Sequence, residues 1–166
     1  MKNHNGYVEL FSEAGHGTRV SVYLPVSDHC PVDDEEDDIQ NQVKGNGETI
    51  LVVDDEERVR VITHLQLQKL GYKVISARSG DEAISIYNKR NAIISLVLLD
   101  VVMPDMDGLI TYKKLKDINE NIKAIAMSGF SKKGTATELL SEGAQAFIQK
   151  PFQIADLSKT ISEVLT

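Results

Sequence analysis

The chain has 166 residues, is 42% hydrophobic and 26% charged, and sets 18 basic against 25 acidic side chains for a net charge of −7. That mixture excludes a disordered chain and leaves room for one core-bearing domain with a small appendage. The acidic balance excludes the clustered Lys and Arg of a nucleic-acid surface, no apolar run approaches the ~20 residues of a membrane span, and the lone Cys30 excludes a disulfide framework and a cysteine-based metal site.

In residues 1–25, Val8 and Leu10 alternate with Glu9, and Val20, Val22 and Leu24 alternate with Ser21 and Tyr23. Period-two alternation on both sides of Gly15-His16-Gly17 predicts a β-hairpin, which two strands alone stabilise poorly and which therefore belongs to something larger. Residues 26–47 hold six consecutive acids, Asp33 to Asp38, and almost no core-forming side chains, the composition of a solvated linker.

From Glu48 the pattern is regular. TILVV is an apolar run ended by Asp54-Asp55, followed by Val59, Ile62 and Leu65 at helical spacing and by Gly71 as a stop. YKVISA is a second strand, and Ser79-Gly80-Asp81 opens a helix containing Ile84 and Tyr87. IISLVLL is a third strand with a helix from about Gly108 to Lys116, and KAIAM a fourth with a helix from about Ser131 to Ser141. AQAFIQ is the fifth, before a last helix with Ile154, Leu157, Ile161 and Val164 on one stripe. Uninterrupted apolar strands are buried on both faces, so residues 48–166 are expected to form a doubly wound (βα)5 α/β sandwich around a five-stranded parallel sheet. Ligands in such sheets bind beyond the carboxyl ends of the strands.

Those ends carry Asp54 and Asp55, Asp100, Ser128 and Lys150. Singly each has a plain explanation: a helix cap, a turn, a solvated end. Together, three convergent carboxylates repel one another unless a cation sits among them, and a hard divalent ion such as Mg²⁺, which takes few carboxylates and a phosphate oxygen, resolves the repulsion. Asp100 is then a carboxylate nucleophile that forms an acyl phosphate, with Lys150 and the Ser128 hydroxyl typed to hold phosphoryl oxygens.

The acid pair DD (54–55), the acceptor Asp100 with MPDMDG after it, SG (128–129) and KPF (150–152) resemble a two-component receiver domain, the CheY-like module of response regulators. The resemblance spans 48–166. It implies that Asp54 and Asp55 organise Mg²⁺ with Asp100 and the backbone carbonyl of Val102. It implies that Asp100 is phosphorylated, that Ser128 follows the phosphoryl group and Lys150 pairs with it, and that Pro151 follows a cis peptide. Phe147 takes the place of the family's switching aromatic, which implies a response on the face made by the fourth helix, fifth strand and fifth helix of this segment. The implied phosphodonor is a histidine kinase or histidine phosphotransfer domain, with a relay protein downstream. Val102 and Phe130, each two residues beyond an active-site group, are apolar and restrict the hydrolytic water, so slow self-dephosphorylation is expected.

NHNGYVELFSEAGHGTRVSVYLP is similar to the closing strand-turn-strand of a histidine kinase ATPase domain. The family's asparagine helix and glycine-rich lid are absent from these residues, so the fragment is not expected to bind ATP. His4, His16 and His29 lie in turn or linker segments and His64 on the outer face of the first helix, so none reads as a phosphodonor. The order hairpin, acidic linker, receiver suggests the C-terminal end of a hybrid sensor histidine kinase. A receiver fold kept as an unphosphorylated binding module is the alternative, against which the complete set of acids, Ser128 and Lys150 stands. A hydrolase using an aspartyl phosphate would need a second acid where Val102 stands, and a dinucleotide enzyme a glycine-rich turn where VVDDEER stands. Neither direct nucleic-acid binding nor membrane contact is expected, and the polar start MKNHNGYVEL, without the apolar core of a secretory signal, suits the cytosol.

Overall fold

The computed structural model describes residues 6–26, 43–129 and 133–166. Phe130, His4, His29, Cys30 and most of the predicted linker with its acidic run lie outside these residues. The chain divides into two compact units. The first is the hairpin, β1 (Tyr7–Glu13) and β2 (Gly17–Tyr23). Its strands pair antiparallel from Tyr7 opposite Tyr23 to Glu13 opposite Gly17, with Gly15 and Gly17 at positive φ in the turn and the two tyrosine rings stacked 4.5 Å apart.

The second unit runs β3 (Thr49–Val53), α1 (Glu57–Lys69), β4 (Lys73–Ala77), α2 (Gly80–Arg90), a 3₁₀ turn (Asn91–Ile93), β5 (Ile94–Asp100), α3 (Gly108–Ile118), β6 (Ala124–Ser128), α4 (Lys133–Ser141), β7 (Ala146–Gln149) and α5 (Ile154–Leu165). The five strands are parallel in the order β4-β3-β5-β6-β7. β3 and β6 are buried at every position and β5 at all but one, as their continuous apolar sequence requires. Successive side chains alternate between two cores. Leu51, Val53, Val97 and Leu99 pack with Ala83, Tyr87, Tyr112 and Leu139. Ile50, Val52, Leu98 and Met127 pack with Leu67, Leu70, Leu157 and Ile161.

Local chemistry sets the helix starts. The Ser79 hydroxyl accepts the Glu82 N–H at 3.3 Å, and Asp107 Oδ1 accepts the Ile110 N–H at 2.9 Å. Gln153 and Asp156 form a reciprocal capping box at α5. Gly71 ends α1 at φ 90°.

One helix face differs from expectation. α1 forms where predicted, but Ile62 and Leu65 are 56% and 60% exposed, and its buried face is Thr63, Leu67 and Leu70. His64 is half-buried rather than outward, its Nδ1 3.3 Å from Ser76 Oγ on β4. The end of the expected linker is also fastened: Gly45 donates its N–H to Leu70 O at 2.8 Å, and Ser158 Oγ donates to Val43 O at 2.9 Å.

Candidate functional site

Strand register assembles the site. Val53 stands opposite Leu99, so Asp54 follows β3 beside Asp100, the last residue of β5. Asp100 stands opposite Met127, so Ser128 ends β6 one step further, and Ser128 stands opposite Gln149, so Lys150 follows β7. Asp54, Asp100, Ser128 and Lys150 thus share the carboxyl edge across β3, β5, β6 and β7. This is where the chain, having gone outward from β3 to β4, returns across the sheet to β5: the reversal at which open α/β sheets bind ligands.

Asp54 is fully buried, Asp55 exposed, and Asp100 7% exposed. One carboxylate oxygen from each lies within 4.8 Å of the others, and among the described residues this is the one such acidic group. Lys150 Nζ reaches over both buried acids, 2.6 Å from Asp54 Oδ2 and 3.1 Å from Asp100 Oδ1. Asp54 Oδ1 accepts the Glu56 N–H at 2.9 Å, so this acid orients the start of α1 as well. Burial pushes the Asp100 carboxyl above the usual carboxylate range. The Lys150 ammonium pulls it down, the Asp54 charge pushes it up, and the Val102 N–H pulls it down, with the net direction upward. Three hard oxygen donors in excess over one ammonium suit a hard divalent cation such as Mg²⁺, and the ammonium already bridging two of them marks where positive charge is wanted.

The loop after Asp100 is drawn in at Gly108, whose N–H donates to Val101 O at 3.0 Å. A Cβ there would lie 2.8 Å from Val101 Cα and closer still to the Asp100 carbonyl. Lys150-Pro151 is cis, as expected, and Lys150 N–H donates to Ser128 O at 2.7 Å. Ser128 is buried, with its Oγ 3.4 Å from the Gly129 carbonyl. A cavity of about 510 Å³ opens beside Asp100, bounded by Val59, Ile62, Val102, Pro151 and Phe152, with Ser128 and Lys150 in its wall. The buried Thr63 hydroxyl also lines it and has no partner among the described residues. Phe147 lies apart from this cavity, half-buried against the core.

The sequence reading thus named Asp54, Asp55, Asp100, Ser128 and Lys150, which converge. It missed the cavity wall from α1, because the stripe of Val59 and Ile62 reads equally as core, and it missed Arg60, whose guanidinium holds the backbone of the acid pair. Nothing in the sequence marks Arg60, whose partners are the backbone carbonyls of Asp54 and Asp55.

A doubly wound sheet with buried acids and a lysine at its carboxyl edge defines the class of open α/β domains whose site is built around a strand-end carboxylate. The response regulator receiver domain family matches residues 50–162, and the chain belongs to that family. It is 34% identical over 118 residues to sporulation initiation phosphotransferase F of Bacillus subtilis, covering 71% of this chain and 94% of that protein. It is 33% identical over 172 residues to the sensor kinase CckA of Brucella abortus, a match that covers 99% of this chain but 18% of the kinase's length. Among solved structures, the CheX-CheY-BeF3-Mg²⁺ complex of Borrelia burgdorferi aligns at TM-score 0.65 with 29% identity, covering 71% of this chain and 89% of that one. No helix among the described residues is long and apolar enough to cross a membrane.

Proposed function

We propose that this chain is a phosphoacceptor of a two-component phosphorelay, in which Asp100 takes a phosphoryl group from a phosphohistidine. The observation that carries the reading is the pair of contacts from Lys150 to Asp54 and Asp100, beside a third carboxylate within 4.8 Å. An Asp100 oxygen attacks phosphorus, the P–N bond breaks, and its electron pair stays on the donor imidazole, which then takes a proton. Lys150 pairs with the incoming phosphoryl oxygens in exchange for its hold on Asp100, and Ser128 donates its hydroxyl to them. Asp54, Asp55, Asp100 and the Val102 carbonyl hold Mg²⁺. The ion, when bound, offsets the charge of the acids and of the phosphoryl oxygens. The Borrelia CheY complex, which contains BeF3 and Mg²⁺, supports a site for a divalent cation and a phosphoryl group in this fold.

Phe147 and the face of α4, β7 and α5 carry the response to Ser128's movement. Val102, 40% exposed at the cavity, slows loss of the phosphoryl group by screening water. The donor is a histidine kinase or histidine phosphotransfer domain, the next partner a relay protein, and the compartment the cytoplasm. Residues 1–25 are the closing edge of a histidine kinase ATPase domain, 26–47 a linker and 48–166 the receiver, as parts of a hybrid sensor kinase. The match to CckA, which runs through the hairpin as well as the receiver, supports that order.

The test is incubation of the purified chain and of Asp100→Asn with Mg²⁺ and acetyl phosphate, read by intact mass. One phosphoryl adduct is expected in the parent and none in the variant. No adduct, with beryllofluoride and Mg²⁺ also failing to bind, would leave a receiver fold acting as an unphosphorylated binding module.

A further inference from the structure

Two of the three clustered acids ride on the short turn between β3 and α1, and the backbone of that turn is held from outside the cluster. α1 begins at Glu57 with Glu56 as its cap, so the Glu56 carbonyl is the first to receive a helical N–H, that of Arg60 at 3.0 Å. The carbonyls of Asp54 and Asp55 come before the helix and meet no helical donor. Both are met by the Arg60 side chain, whose Nη1 donates to Asp54 O at 2.7 Å and to Asp55 O at 3.3 Å. Three successive carbonyls, 54 to 56, therefore end on one residue.

We propose that Arg60 is a positioning residue for divalent-cation binding, fixing the peptide units from which Asp54 and Asp55 project. This rests on the phosphoacceptor reading above. Arg60 makes these contacts through its guanidinium and carbonyl oxygens, so it acts on the carboxylates through their backbone. A planar guanidinium whose donors are fixed in direction holds two acceptors more firmly than a flexible ammonium does. Its positive charge works in the other direction. By Coulomb's law alone, removing a cation from beside a metal site tightens metal binding, whereas releasing the turn loosens it. The sign of the effect therefore separates positioning from a mere contribution to the local field.

The experiment is a calorimetric titration of the whole chain with Mg²⁺, for the parent, Arg60→Gln and Arg60→Lys, with circular dichroism to check folding. Beside it, the Mg²⁺ dependence of labelling by acetyl phosphate is measured. Arg60→Gln is expected to weaken Mg²⁺ binding by about 10-fold, the usual effect of losing a group that orients metal ligands. Arg60→Lys, with the charge kept and the fixed N–H directions of the planar Nη1 group lost, is expected to bind Mg²⁺ more weakly than the parent. In both, half-maximal labelling moves to higher Mg²⁺ while the rate at saturation is retained; a purely structural role would lower thermal stability without moving that midpoint. Unchanged or tighter Mg²⁺ binding in the folded variants overturns the proposal while the phosphoacceptor reading stands. If Arg60→Gln does not fold, an unchanged affinity in Arg60→Lys overturns it alone. A parent chain that neither binds Mg²⁺ nor accepts a phosphoryl group overturns both.

Discussion

Lys150 spends its single charge on two buried carboxylates, and its own side chain is 17% exposed. Removing one partner of such a pair leaves the other charges buried and uncompensated, at a cost of about 3 kcal/mol. Lys150→Met is therefore expected to lower the unfolding free energy by about that amount in urea with the metal chelated, and added Mg²⁺ is expected to recover part of it. A second residue-scale effect concerns Tyr72 and Tyr112, 5% and 1% exposed. Burial raises both phenols above their ordinary 10.0, with Glu48 adding to the first and Glu142 to the second. Their neutral forms are thus preferred in the folded chain, so stability is full below pH 10 and falls as pH rises through and beyond it. Replacing each with Phe is expected to flatten that alkaline decline in denaturation curves taken across the range. Asp54, Asp100, Ser128 and Lys150 were legible in sequence because a strand end is a fixed address: once the runs are strands, the residue after each must lie on one edge. Arg60 was not, because its partners are backbone carbonyls, and carbonyls leave no mark in a sequence.

Two elements bring their own constraints. The β5–α3 loop passes so close at Gly108 that any side chain would meet the backbone of Asp100 and Val101, which cannot swing aside as a side-chain end would. Gly108→Ala is expected to cost about 2 kcal/mol, as overpacking does, and to reduce labelling of Asp100, since the atoms displaced belong to the acceptor's own peptide; thermal denaturation and intact mass measure the two. α1 shows the opposite case, an element whose existence was legible and whose orientation was not. Val59, Ile62 and Leu65 are helically spaced, but so are Thr63, Leu67 and Leu70, and the threonine disguised the buried stripe. Burial sets the consequences. Ile62→Ser and Leu65→Ser are expected to change stability by less than about 0.5 kcal/mol, as exposed substitutions do. Leu67→Ala, fully buried, is expected to cost about 3 kcal/mol. An equal loss at Leu65 in urea denaturation would contradict the helix orientation.

At the scale of the whole chain, the parallel sheet was legible because β3, β5 and β6 are too uniformly apolar to face water on either side. The hairpin was legible for the contrary reason, alternation about Glu9 and Ser21 on either side of a glycine turn, yet both of its faces carry exposed apolar side chains, Tyr7, Leu10, Phe11 and Val20 among them. Two strands cannot bury such surface unaided. Both core clusters, by contrast, are composed of residues from Ile50 to Leu165, and the strap from Val43 is hydrogen-bonded to α1's end and to α5. Among the described residues, the receiver's buried core therefore lies within residues 43–166. A chain trimmed to those residues is expected to unfold at the parent's denaturant midpoint and to accept a phosphoryl group on Asp100 at the parent's rate, whereas a peptide of residues 1–26 is expected to show no stable strand signal by circular dichroism. A trimmed chain with a lower midpoint would mean that the hairpin or linker contributes to the receiver's stability. A peptide that folds alone would mean that the exposed side chains of the hairpin need no further sheet.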